Sequence, residues 1–205
     1  MALKLIFAQQ ALMDAMAIDV KQKGVLEPSI YLDGKSSKQK TGSNLKCSHT
    51  GGSKNGVIVD RVYAGKVLAS IPDGKIFDMV AWFVYGPSIN VGNFEEVLEY
   101  VFDEFRKTKL GQKNSLLKYR NSKRINELVV FVVLNYRYSR LKDGAHKNRY
   151  SKSEICTGAK ILMANWARDW APVYDAMENV LEKIDRKTLS SVRAMIEEEK
   201  RKGAA

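Results

Sequence analysis

Residues 165–177, NWARDWAPVYDAM, hold two Trp, a Tyr, two Asp, an Arg and a Pro, and whether that density is a helical seam or a loop decides the class of fold. Trp166, Trp170, Tyr174 and Met177 follow one another at intervals of four, four and three residues. That spacing puts them on one face of a helix that runs on past Pro172, and large apolar side chains so placed form core. Proline needs no amide donor in the first turn of a helix, so Pro172 fits a helix start. Val173, Val180, Leu181 and Ile184 prolong the stripe, and TLSSVRAMIEEEKRK, residues 188–202, closes the chain with a helix whose tail is charged. Arg168 and Asp175 suit surface or inter-helix pairing.

Working towards the N-terminus, residues 151–170 place Ser151 and Glu154 in capping-box spacing, with Ile155, Ala159, Leu162, Trp166 and Trp170 on one helical face. Gly158 interrupts that pattern and permits a short helix, a turn and a second helix, a helix-turn-helix-like arrangement; a single amphipathic helix explains the same spacing. The segment 125–141, INELVVFVVLNYRYSRL, reads as buried, its β-branched run leaving a strand open. A helix is expected after Asn93 as cap, with Phe94, Val97, Leu98, Val101 and Phe105 as its stripe and Arg106, Lys107 and Lys109 at its end. KIFDMVAWFVYG, residues 75–86, is a buried helix closed by Gly86-Pro87. Residues 57–71 follow a helical stripe through Ile58, Val62, Val67 and Ile71, although their Val and Ile content also fits a strand start. Residues 3–22 form an amphipathic helix through Leu5, Leu12, Met16 and Val20. The expectation is an all-α, multi-helix single domain. Its parts are an N-terminal helix and connection (1–33), a flexible basic loop (34–56) and a helical body (57–205) with a DNA-binding region around 137–170.

Charge points to partners. The chain has 34 Lys and Arg against 23 Asp and Glu, a net charge of +11, and such a surface attracts polyanions in a salt-dependent way. From Gly34 to Val59 there is no acidic residue, and from Arg106 to Arg124 eight basic residues occur without an acid. In RYSRLKDGAHKNRYSKSE, residues 137–154, six Lys or Arg and His146 alternate with Tyr138 and Tyr150 beside a helix start. Basic side chains reach phosphates, Ser151 and Ser153 add hydrogen bonds, and the amides of a helix N-terminus favour an anion. Arg137, Arg140, Lys142, Lys147, Arg149 and Lys152 are the candidate DNA contacts there.

Several other chemistries find little support. With two His, no Gly-x-Ser-x-Gly elbow, no Walker sequence and no dinucleotide fingerprint, the expectation is a protein without enzymatic activity or cofactor. Cys47 and His49 supply half of a zinc ligand set, which Cys156 and His146 would have to complete from distant sequence; no metal is expected. Two separated cysteines fit a reducing compartment. The apolar N-terminus is broken by Lys4, Gln9, Gln10 and Asp14, so neither a signal peptide nor a membrane span is expected, and the chain reads as cytoplasmic.

The pattern Trp166-x-Arg168-x-x-x-Pro172-x-Tyr174-Asp175-Ala176-Met177, preceded by Arg149-Tyr150-Ser151, resembles the C-terminal part of lambda-type late-gene antiterminators of temperate phages over roughly residues 149–185. The resemblance implies a small DNA-binding transcription factor. It recognises a site near the phage late promoter, loads onto paused host RNA polymerase and makes the elongation complex ignore terminators. It further implies that residues 151–163 are the DNA-reading segment, with Ser151, Lys152, Ser153 and Lys160 as contacts and Arg149 and Arg168 on phosphates. Where lambda-type members carry a cysteine-rich zinc loop, this chain has LKDGAHKNR, without Cys, which implies a metal-free tip. Two other readings fit the charge: a nucleic-acid-binding phage accessory protein for packaging or recombination, and an inhibitor of a host protein acting through protein contact.

Overall fold

The computed structural model describes residues 2–23, 54–113, 119–141 and 149–203. Most of the basic loop expected over 34–56, together with Lys142, His146 and Lys147, lies outside the described residues. The elements are helical throughout: α1 (Ala2–Lys23), α2 (Lys54–Ala69), α3 (Lys75–Tyr85), α4 (Val91–Lys107), α5 (Tyr119–Leu141), α6 (Lys152–Gly158) and α7 (Ala171–Gly203). A 3₁₀ turn (Met163–Asn165) and a π turn (Trp166–Trp170) join α6 to α7. Both segments for which a strand stayed open are helical, 57–71 as far as Ala69 and 125–141 throughout; Val67 on α2 and Ile125, Val129, Val132 and Val133 on α5 are buried against neighbouring helices, and packing overrides local preference.

Helix α7 is the strut of the fold. Its 33 residues span roughly 50 Å at the α-helical rise, and α1, α2, α3, α4 and α5 all pack on it. Val173, Met177, Leu181, Asp185, Leu189 and Val192 form its buried stripe, repeating every three or four residues as a one-sided helix requires. One continuous core runs from Ala8, Leu12 and Met16 on α1 through Phe83 and Val84 on α3, Val97 and Phe105 on α4, and Leu128 and Val132 on α5 to α7. Helices α3 and α4 are tied by Phe83 stacked on Phe94, with ring centroids 5.6 Å apart.

Helix α4 starts earlier than its sequence pattern indicated. Asn90, not Asn93, is the cap, and its Oδ1 accepts the Asn93 amide at 3.3 Å. Both asparagines suit a cap, but the chain is already helical at Val91, which makes Asn93 a first-turn donor.

Polar groups inside the bundle fix how three helices meet. Asp185 on α7 is 2% exposed and accepts the hydroxyls of Tyr85 on α3 and Tyr136 on α5, each at 2.7 Å. Arg140 stands 3.4 Å from the same carboxylate and donates to the Tyr136 hydroxyl at 3.1 Å. Burial pushes both tyrosines above their ordinary range, the Asp185 charge adding to the effect, so they stay protonated donors. A buried carboxylate is tolerable only with such a set of partners.

Candidate nucleic-acid interface

The region singled out by sequence is built outward from Asn135 on α5, which is 1% exposed. Its side-chain amide pairs with the main chain of Tyr150: Oδ1 accepts the Tyr150 N–H at 2.8 Å, and Nδ2 donates to the Tyr150 carbonyl at 3.2 Å. Nδ2 also lies 3.1 Å from the Tyr174 hydroxyl on α7, whose pKa burial pushes up to about 12. One amide thus brackets the chain entering α6 against both long helices. The Tyr150 ring meets Phe131 edge-on at 5.2 Å, and the Arg149 guanidinium covers the Tyr150 ring at 5.4 Å.

Helix α6 opens on a complete capping box. The Ser151 hydroxyl accepts the Glu154 amide at 3.3 Å, while Glu154 Oε2 accepts the Ser151 amide and hydroxyl, both at 2.7 Å. Those bonds hold the Glu154 carboxyl below its ordinary range. They also place a carboxylate beside this N-terminus and engage the Ser151 hydroxyl in the cap.

The helix ends at Gly158, five residues short of the 151–163 segment expected from sequence. A Cβ at Gly158 would stand 2.2 Å from Phe131 Cζ, so glycine is what lets α6 approach α5 this closely. Beyond it, Lys160 adopts φ 55°, the Lys160 amide bonds to Thr157 O at 3.2 Å and the Ile161 amide to Cys156 O at 2.8 Å. This is a Schellman ending with lysine where glycine is usual. The reversal breaks the helical phase: Ile161 is buried, whereas Leu162, expected on the apolar face, is 68% exposed and Met163 44%.

The π turn then resets the phase into α7. The Ala171 amide reaches back to Trp166 O, and Pro172 has no amide to continue an α ladder there. Trp170, Tyr174 and Met177 are buried, and Trp166 is half-buried with its ring 5.8 Å from that of Tyr174. Arg168 is exposed and clasps Asp169 through two bonds of 2.8 Å, so a phosphate would have to displace a carboxylate to reach it.

Two expected DNA contacts are engaged within the bundle instead, Arg137 by burial and Arg140, part-exposed, by its polar partners. Arg137 is 8% exposed and donates to the carbonyls of Phe83 and Gly86, the latter at 2.8 Å. It caps the C-terminus of α3, where the helix dipole favours a cation. Burial pushes its pKa down to about 10, still charged at neutral pH. Arg140 serves the Tyr136–Asp185 cluster. Of the expected contacts, Ser151, Lys152, Ser153, Lys160 and Arg168 are exposed and Arg149 is half-buried, Ser151 and Arg168 being engaged with Glu154 and Asp169; Lys142 and Lys147 lie outside the described residues. Lys152 and Lys160 carry no ion pair to another described residue. The surface around α6 thus offers two uncommitted ammonium groups and a hydroxyl on a rigid support.

Sequence reading missed Asn135 and Asp185, although each falls on an apolar stripe: Leu128, Val132 and Asn135 on α5, and Leu181, Asp185 and Leu189 on α7. A polar residue in register with core positions is the signal that would have found them. Among the described residues no three His, Cys, Asp or Glu are grouped to hold a metal ion, and no helix is long and apolar enough to cross a membrane.

A family model described as phage antitermination protein Q matches residues 78–205, which covers α4 to α7 whole, most of α3 and the entire 149–185 segment. No curated protein and no solved structure matches the chain.

Proposed function

The chain belongs to the phage antitermination protein Q family, and from that premise we propose that it is a sequence-specific double-stranded DNA-binding protein that loads onto host RNA polymerase near a late promoter and suppresses termination. It acts by binding and not by catalysis, within the bacterial cell that carries the phage. The observation that carries the DNA reading is the exposed pair Lys152 and Lys160, at the start of α6 and just past its end, inside the matched span. Ammonium groups release counterions from phosphates and hold the chain on the duplex, while exposed side chains of the same surface meet the base edges. The Asn135 bracket, the Gly158 contact and the Schellman ending preorganise that surface, so little conformational entropy is lost on binding.

A salt-titrated gel shift tests this reading. DNA immediately downstream of this protein's own gene is compared with a scrambled duplex of equal length. The native duplex should bind more tightly, and the double variant Lys152→Gln/Lys160→Gln should reduce the slope of log K against log salt by about 2, one unit per lost phosphate contact. Equal binding to both duplexes, with a slope unaffected by the double variant, would exclude a site-specific DNA contact on this face.

A further inference from the structure

The exposed Leu162 and Met163 have no part in the cationic contacts, yet they are not a frayed loop. Ile161, 6% exposed, anchors the chain just before them. The Ile161 amide bonds back to Cys156 and the Asn165 amide to Leu162 O at 2.9 Å, so the tip is pinned on both sides. Met163 Sδ lies 3.9 Å from Cys156 Sγ, which draws the tip alongside α6. To hold it there the chain accepts a left-handed lysine and a π turn within eleven residues, 160–170, and local irregularity of this kind marks segments kept for a purpose other than stability.

We infer that Leu162 is an apolar base-reading contact, packing on thymine methyl groups in the DNA groove that Lys152 and Lys160 hold against this face. The occupant follows from the flanks. Lys160 comes two residues before Leu162, and Lys152 opens the helix alongside which Cys156 holds Met163; both lysines are exposed, so the apolar tip has cationic neighbours and its complement is a polyanion that also offers apolar patches. Duplex DNA does so only at the C5-methyl of thymine, which protrudes into the major groove and is read by apolar side chains. The inference rests on the DNA reading above and gives it a specificity determinant, since the lysines touch only phosphates.

The test couples one side chain to one methyl group. Duplexes are enriched on the full chain from a random-sequence pool, and in the enriched duplex each thymine is replaced singly by uracil, which deletes only the methyl. One or two replacements should weaken wild-type binding by roughly fourfold, the value of one buried methyl. Leu162→Ala should bind the enriched duplex more weakly and be indifferent to those same replacements. Leu162 is solvent-facing, so the variant should melt as the wild type does. If Leu162→Ala keeps the full uracil penalty, or no replacement weakens the wild type, the tip does not read thymine, while a slope change in Lys152→Gln/Lys160→Gln would leave the DNA reading standing. If the pool yields no enriched sequence and the lysine variant binds unchanged, the inference and the DNA reading fail together.

Discussion

Replacing Asn135 by Ala separates the support of the α6 surface from its charge. The substitution deletes three hydrogen bonds at once, two to the Tyr150 main chain and one to the Tyr174 hydroxyl. A buried polar group left without a partner costs about 1–3 kcal/mol. The Tyr174 hydroxyl, on a residue 7% exposed, bears that cost nearly in full, about 2 kcal/mol. Tyr150 is half-buried, so water recovers much of its loss, leaving about 1 kcal/mol. The sum, about 3 kcal/mol, should lower Tm by roughly 6–12 °C at 2–4 °C per kcal/mol for a chain of this size. Thermal unfolding followed by circular dichroism reads the shift, and hydrogen exchange should show the amides of α6 opening before those of α7. Below the transition, DNA affinity should fall while the salt slope stays unchanged, because no phosphate contact has been deleted. A Tm within about 2 °C of wild type, less than 1 kcal/mol is worth at this size, with α6 exchange unaltered, would refute the claim that Asn135 holds this surface.

Lys160→Gly should keep or raise Tm, since it removes a left-handed cost of about 1 kcal/mol, and should still weaken DNA binding; a gel shift equal to wild type would show that the lysine charge is not used. Ser151→Ala should be less stable than wild type at pH 7. The Glu154 pKa is depressed in the folded chain, so its contribution is fully present above the unfolded value of 4.5 and is lost as pH falls through the folded value; the two proteins' urea midpoints should therefore converge in acid. Arg137→Met should lower the urea midpoint by leaving the Phe83 and Gly86 carbonyls without their donor, yet leave the DNA salt slope as it was, whereas a reduced slope would return Arg137 to the interface.

The seam at 165–177 identified the class of fold because Trp170, Tyr174 and Met177 carry a helical period strong enough to survive the π turn beside them. Trp166 is the first residue of that turn and so out of α-helical phase with Tyr174, which explains why it is only half-buried. Arg137 was misread because its charge was weighed without its register: Val129, Val133 and Arg137 are four residues apart and share a face, so burial could have been inferred from position alone. The extent of α6 was not legible for a different reason. Gly158 and Lys160 act through a close approach to Phe131 and a left-handed backbone, and neither the neighbour across the bundle nor the sign of φ is written in local periodicity. Hence Leu162, in phase with the apolar face on paper, is turned out to solvent.

The central claim is that the chain acts on transcription through DNA held at the α6 surface. The direct measurement is terminator read-through by purified bacterial RNA polymerase, on a template carrying the DNA downstream of this protein's gene between promoter and terminator. The account predicts that adding the chain raises read-through on that template but not on one with the segment scrambled, and that Lys152→Gln/Lys160→Gln restores termination. Read-through that is unchanged by the chain, or raised equally on the scrambled template, would contradict it.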